Sequence, residues 1–340
     1  MSKIIRYTLL VLVCFFLLFA GLVFWGFKKI SYDLGQSPQY LLDLVTTARL
    51  NYDRHQSQKT NFIVLGLDKR DDQLEKTQTT DTIIFVSLDY SRQKISLVSL
   101  PRDLWFYDLN TKINQIYPLS LNEPDSFEFI KAKFKQLTGQ SIDHVLVLTT
   151  DNLIDFVDLI GGVDLVLDQG FVDDQYPNPE YINNPSPKIP IYKTVEFKSG
   201  PIHLDKTNVT EFVRSRKGGQ TAAQGGTDLA RIHRQQLLIE AILDKIKSGN
   251  FIQNYSQAVK LYHFWNRSLI KDISDNDIVA IISHLDYQIK NLTFDKINIP
   301  IGNTAADGLI YHPNRLFNRQ WVFLPSDKDY TSFRHFFDAI

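Results

Sequence analysis

The stretch Asn61–Arg70, NFIVLGLDKR, followed by Thr80–Asp89, TDTIIFVSLD, and Lys94–Leu100, KISLVSL, decides the fold class. Each is a short run of β-branched and large apolar residues that stops at a charged or turn-forming residue, which is the pattern of a strand. Strands are expected over Asn61–Leu67, Thr82–Asp89 and Lys94–Leu100, and downstream over His144–Thr149 and Val163–Leu167. Helix-length segments lie between them. SFEFIKAKFKQLT is opened by Asp125 or Ser126 and ended by Gly139, and DNLIDFVDLI is opened by Asp151 and ended by Gly161-Gly162. An oxygen-bearing side chain before the first turn and glycine after the last are the usual helix boundaries. Strands alternating with amphipathic helices make a mixed α/β domain, which runs from residue 61 to 340.

The rest of that domain is read in the same way. Val172 to Pro190 holds five of the thirteen prolines and is expected to be an irregular surface loop, since proline continues neither a helix nor a central strand. Helices are expected over Leu204–Val213 and Asp228–Ser248, strands near Ile297–Ile301 and Trp321–Leu324, and a last helix near Tyr330–Ala339.

Upstream, residues 31–60 are polar with helical stretches and read as a stalk or linker, or as a first helix leading away from the bilayer. Before them, Leu9–Phe27 is a run of nineteen residues without a charge, flanked by Lys3 and Arg6 on one side and Lys28 and Lys29 on the other. At ~1.5 Å per residue it spans about 28 Å, the thickness of a bilayer core. Its exit, Phe24-Trp25-Gly26-Phe27 and two lysines, lacks the small residues of a cleavage site, so residues 1–30 are expected to be an uncleaved N-terminal tail and transmembrane anchor. Lysine and arginine flank both ends about equally and leave the orientation open.

Composition narrows the function. With 44% hydrophobic and 22% charged residues, the 340-residue chain can bury a large core. One cysteine, Cys14, excludes a disulfide framework. A net charge of −1 from 37 basic and 38 acidic residues lacks the basic footprint of a nucleic-acid binder. No HExxH or similar zinc pairing appears among the eight histidines.

The informative local feature is arginine placement. Arg214, Arg216, Arg231 and Arg234 fall in one short window with Asp228 and Gln235. At ~100° per residue, Asp228, Arg231, Arg234 and Gln235 project within an arc of about 120° on a helix and can share one ligand. A guanidinium fork pairs with two phosphate oxygens, and an early helical turn adds free N–H groups, so the set suits a diphosphate; the alternative is a solvated helix face. Asp68 and Arg70 follow the first strand, Asp81 opens the second, and Arg102 and Asp103 end the third. Strand ends are where α/β sheets bind ligands, and two aspartates beside a phosphate can hold magnesium. A proton acceptor would be Asp103 or Asp228.

Taken together, GLDKR (66–70), TDTIIFVSLD (80–89), SLPRD (99–103), KINQIY (112–117), DLIGGVDL (158–165), VRSRK (213–217) and TDLARIHRQQ (227–236) resemble the LytR-CpsA-Psr family, also labelled cell envelope-related transcriptional attenuators. The sequence departs from the family's pattern at Thr79 and at Leu104-Trp105-Phe106, where arginines often stand, and at Leu119-Ser120, often Gly-Gly. The fold expected is a three-layer α-β-α sandwich with a central mixed β-sheet, preceded by one N-terminal transmembrane helix. The resemblance implies an enzyme that moves a teichoic acid or capsular glycopolymer from a polyprenyl-diphosphate carrier to peptidoglycan, forming a phosphodiester and using magnesium (Mg2+). It implies that Asp68 and Asp81 hold the metal and that Arg70, Arg102, Arg214, Arg216, Arg231, Arg234 and Gln235 surround the diphosphate, with Arg102 and Arg231 also catalytic. It also places the N-terminus in the cytoplasm and the domain outside the membrane. The competing functions are a polyprenyl-diphosphate hydrolase and a non-catalytic carrier-binding regulator.

Overall fold

The computed structural model describes residues 25–52, 58–67, 79–215, 228–249, 254–285 and 292–340. Two helices open it, α1 (residues 25–34) and α2 (Pro38–Tyr52). Then come β1 (Lys59–Leu67), β2 (Thr80–Asp89), β3 (Lys94–Ser99), β4 (Trp105–Phe106), β5 (Thr111–Lys112), α3 (Ile116–Ser120), α4 (Ser126–Thr138), β6 (His144–Thr149), α5 (Thr150–Leu159) and β7 (Val163–Leu167). The middle of the chain forms β8 (Phe171–Pro177), α6 (Pro179–Asn183), β9 (Tyr192–Phe197), β10 (Gly200–Leu204), α7 (Val209–Arg214) and α8 (Asp228–Lys247). The last part forms α9 (Tyr255–Arg267), β11 (Ile270–Lys271), α10 (Asp275–Leu285), β12 (Thr293–Ile297), β13 (Ile301–Gly302), β14 (Ile310–Tyr311), β15 (Leu324–Pro325) and α11 (Thr331–Asp338).

Among the described residues, six strands form the main sheet in the order β11-β6-β1-β2-β3-β12. It is mixed: β1 runs antiparallel to β2 and parallel to β6, while β12 runs parallel to β3. Alternation along β1 separates its two faces. Ile63, Leu65 and Leu67 pack with Phe85 and Val98 against Ile130 and Phe134 of α4 and Phe333 and Phe337 of α11. Phe62 faces the other way, with Ile95 and Leu146, and meets Trp265 of α9 and Ile278 and Ile281 of α10. A second core forms where α5, α7 and α8 close over β7–β10, around Val157, Phe171, Phe197 and Phe212.

The strand ends create the site. The register pairs Leu67 with Thr80 after a shift at Gly66/Leu67, and Leu67 with Thr149 on the other side. The end of β1, the start of β2 and the end of β6 therefore lie side by side.

Several expectations are changed by tertiary context. Val172–Pro190 is irregular only in its second half, over 184–190: before that it forms most of β8 and the short α6, and β8 pairs with β9 beyond the segment, with a register shift between Asp173 and Tyr176. The prolines are tolerated because Pro177 ends β8 and Pro179 starts α6 behind the Asn178 cap. The helix expected over Leu204–Val213 is shortened to α7, because Leu204 closes β10 and Asp205 caps a turn by accepting from Thr207 N at 2.7 Å. Of the stalk and first-helix readings, the described part of residues 31–60 includes a helix, and α2 packs on α10. Tyr40 donates to Asp275 at 2.7 Å, and Gln36 donates to Tyr262 at 2.9 Å. Leu104, Trp105 and Phe106 are wholly buried, which accounts for apolar groups there. No helix among the described residues is long and apolar enough to cross a membrane; most of Leu9–Phe27 lies outside them.

Candidate functional site

A small cleft opens between the ends of β2 and β3 and the first half of α8. It is lined by Asp81, Thr82, Ile83, Ile84, Ser99, Leu100, Arg102, Arg231, Ile232 and Gln235. β2 brings Asp81 and Thr82, the exit of β3 brings Ser99 and Arg102, and α8 contributes Arg231 and Gln235 one turn apart. The charged lining residues are one carboxylate and two guanidinium groups, an arrangement that attracts a polyanion.

Asp81 is the hub. Its Oδ1 accepts a hydrogen bond from Nη1 of Arg102, its Oδ2 lies 3.9 Å from Nη1 of Arg231, and its backbone carbonyl accepts from Nη2 of Arg231 at 3.2 Å. Arg231 is 2% exposed. A buried arginine is costly unless charge and hydrogen bonds compensate, so its place on the cleft wall points to anion chemistry as well as to Asp81.

Asp103 stands behind Arg102. One carboxylate oxygen accepts from Lys112 Nζ at 2.6 Å and the other lies 3.5 Å from Arg102 Nε. Both oxygens are thus turned toward cations, and Asp103 is not among the cleft-lining residues. Its geometry orients Arg102. Lys112 carried no role in the sequence reading; the β4–β5 hairpin folds it back, with Trp105 opposite Lys112. Its nine-residue separation from Asp103 across a turn was the available signal.

On α8, Arg231 and Gln235 face the cleft, whereas Arg234 does not. Arg234 is 3% exposed, donates from Nε to the Phe212 carbonyl at 2.9 Å, and donates from Nη2 to the Ser215 carbonyl. Arg214 ends α7 beside it. Gln236, buried, donates to Ser99 Oγ at 3.1 Å and so braces one wall of the cleft. His233 is exposed, in keeping with a position away from the ligand-facing arc. Asp68, Arg70 and Arg216 lie outside the described residues, as does the side chain of Asp228, which opens α8.

For a metal, the described donor set is the Asp81 carboxylate; among the described residues no group of three or more histidine, cysteine or acidic side chains gathers to hold one. Magnesium is commonly held by one or two carboxylates plus substrate phosphate oxygens and water, so a cleft with Asp81 at its edge fits the ion as a partner of a bound diphosphate.

Comparison with known proteins bears on this arrangement. The family model described as the LytR_cpsA_psr family matches residues 36–320. A Bacillus cereus (strain AH820) protein named polyisoprenyl-teichoic acid–peptidoglycan teichoic acid transferase TagU is 22% identical over 261 residues, which are 75% of this chain and 74% of that one. A protein of the same name from Oceanobacillus iheyensis is 25% identical over 241 residues, 68% of this chain and 65% of that one. Among solved structures, B. subtilis TagV superposes with a TM-score of 0.58 at 18% identity, covering 83% of this chain and 96% of that one. TagT bound to LIIa-WTA superposes with a TM-score of 0.55 at 16% identity, covering 83% and 91%.

Proposed function

The chain belongs to the LytR-CpsA-Psr family, and from that premise we propose that it is a membrane-anchored phosphotransferase that moves a glycopolymer from a polyprenyl-diphosphate carrier to peptidoglycan. The relatives named as teichoic acid transferases support the reaction class. The single observation that carries it is the convergence of Asp81, Arg102, Arg231 and Gln235 on one cleft at the strand ends.

In this reading an acceptor hydroxyl oxygen attacks the phosphorus that bears the glycan. The bond from that phosphorus to the bridging oxygen breaks, and polyprenyl phosphate departs with the electron pair. Arg102 and Arg231 neutralise the charge that grows on the departing phosphate, the contribution that dominates in such reactions. Gln235 donates to a non-bridging oxygen, and by the family resemblance Arg70, Arg214 and Arg216 would add further positive charge. Asp68 and Asp81 would hold magnesium, which when bound neutralises diphosphate charge. The proton of the hydroxyl goes to a carboxylate and then to water. Asp228, three residues before Arg231 on α8, is the stronger candidate for that role, since both oxygens of Asp103 face Arg102 and Lys112. The run Leu9–Phe27 would anchor the chain, with the domain on the extracytoplasmic side where peptidoglycan lies.

The test is product analysis with a labelled short-chain polyprenyl-diphosphate glycan, peptidoglycan and magnesium. Label on peptidoglycan is the expected result. Free glycan phosphate formed without acceptor would instead establish a hydrolase, and binding without any product a carrier-binding regulator; either result overturns the transferase reading.

A further inference from the structure

Arg234 occupies the next position after Arg231 on the same side of α8, yet its guanidinium is used inside the protein. Nε and Nη2 reach the carbonyls of Phe212 and Ser215, at the C-terminal end of α7, where helix carbonyls have no partner within the helix. Gln235 Nε2 lies 3.5 Å from the Val213 carbonyl between them. α8 therefore holds three of the four carbonyls from Phe212 to Ser215.

The clamp is itself supported. The Arg234 guanidinium carbon lies 4.3 Å from the centre of the Phe171 ring. Phe171 stacks on Phe197 at 5.1 Å, and Phe197 meets Phe212 edge-on at 5.2 Å, so one aromatic cluster backs both the arginine and the helix it grips. Asp173, two residues along β8 on the same buried face as Phe171, is 2% exposed and supplies a compensating negative charge. Burial pulls the Arg234 pKa down to about 10, with Arg231 acting in the same direction and Asp173 against it, which leaves Arg234 cationic at neutral pH.

We propose that Arg234 is a positioning residue: by clamping the Phe212 and Ser215 carbonyls it fixes the backbone that presents Arg214 to the diphosphate, without touching the diphosphate itself. This rests on the transferase reading for its substrate. A planar fork bonds two carbonyls at once, whereas a lysine ammonium in its place reaches one well, so the position requires arginine for its shape.

The experiment is a double-mutant cycle in the full chain with Arg214→Ala and Arg234→Lys, read both as kcat/KM for transfer and as affinity for inorganic pyrophosphate by calorimetry. Arg214→Ala alone should lower kcat/KM by about 100-fold, the scale of one lost transition-state contact. Arg234→Lys alone should lower it by about 10-fold, and in the Arg214→Ala background by less than about 3-fold, because groups acting as one unit are not additive. Multiplying losses would mean that Arg234 has its own contact and would overturn the proposal. Unchanged kcat/KM and pyrophosphate affinity with a lowered Tm would overturn it as well. Should Arg234→Lys fail to fold, Asp173→Asn, which weakens the support and keeps the shape, replaces it in the same cycle with the same expectation. Intact pyrophosphate binding without transfer removes only the transferase reading, and the cycle in affinity still decides the clamp. Absence of pyrophosphate binding by the wild-type chain overturns both.

Discussion

Asp81→Asn isolates the central charge of the cleft without changing its volume. In the wild-type chain this carboxylate accepts from Arg102 and lies 3.9 Å from Nη1 of Arg231, whose side chain is 2% exposed. At an effective dielectric constant of about 20 the second pair alone is worth roughly 4 kcal/mol before desolvation. Removing one member of a fully buried pair costs about 3–5 kcal/mol, and a solvated pair contributes about 0–1 kcal/mol. The Asp81 and Arg102 side chains keep 14% and 23% exposure, so the loss should fall between these limits, near ~2 kcal/mol. In a folded domain of this size that is a Tm decrease of roughly 3 °C, readable by circular dichroism. Pyrophosphate should recover part of the deficit, because its oxygens replace the missing carboxylate beside two guanidinium groups. Its affinity without metal should hold or rise, while the increment given by magnesium disappears. A Tm loss of less than about 1 °C would refute the placement of this ion pair in a low-dielectric setting. A magnesium increment equal to that of the wild type would remove Asp81 from the metal.

Arg231→Ala should reduce transfer by at least ~100-fold, and Arg231→Lys should recover only part, because the ammonium keeps charge but loses the fork; wild-type turnover of the alanine variant removes Arg231 from the site. Burial holds the His144 imidazole below its ordinary pKa of 6.5 against the pull of Asp272, Asp277 and Asp143. The unfolded chain therefore takes up that proton first, so stability is present above about pH 6.5 and declines as pH falls below it; His144→Asn should flatten the change in urea midpoint between pH 7.5 and 5.5, and an unchanged slope would contradict this. Gly161 and Gly162 both have positive φ, 74° and 71°, but an added Cβ at Gly162 would collide with the His203 imidazole and lie 2.9 Å from the Leu204 carbonyl, whereas at Gly161 its nearest neighbour is 3.9 Å away. Gly161→Ala should thus cost about 1 kcal/mol and Gly162→Ala clearly more, and equal Tm shifts would refute the steric argument.

Local chemistry made much of this protein readable from its letters. The strands over residues 61–67, 82–89, 94–100, 144–149 and 163–167 have their counterparts in the fold within two residues, because a β-branched run bounded by turn residues has few other stable conformations. α4 begins and ends where expected, with Asp125 accepting from Glu128 N and Gly139 in the left-handed region, since capping is decided by neighbours within four residues. The ordered motifs identified the family, and the strand-end positions of Asp81 and Arg102 pointed to the cleft.

What the letters left open is what depends on which element comes to lie beside another. Helix periodicity gave Arg231, Arg234 and Gln235 one arc, but an arc of about 120° is wide enough to face two neighbours. The strand-end aspartate took Arg231, and the carbonyl end of α7 together with Phe171 took Arg234. The pairing of Lys112 with Asp103 awaited a hairpin, and the start of the Pro-rich segment became β8, paired with β9 beyond it, because the second core offered Phe171 and Phe197 an apolar surface. Residues 31–44, polar enough to read as a stalk, are held by α9 and α10 through Tyr262 and Asp275. Each of these contacts joins segments distant in sequence or turned by packing. Their free energy comes from burial and charge pairing that exist only once the chain has closed, so no local pattern records them.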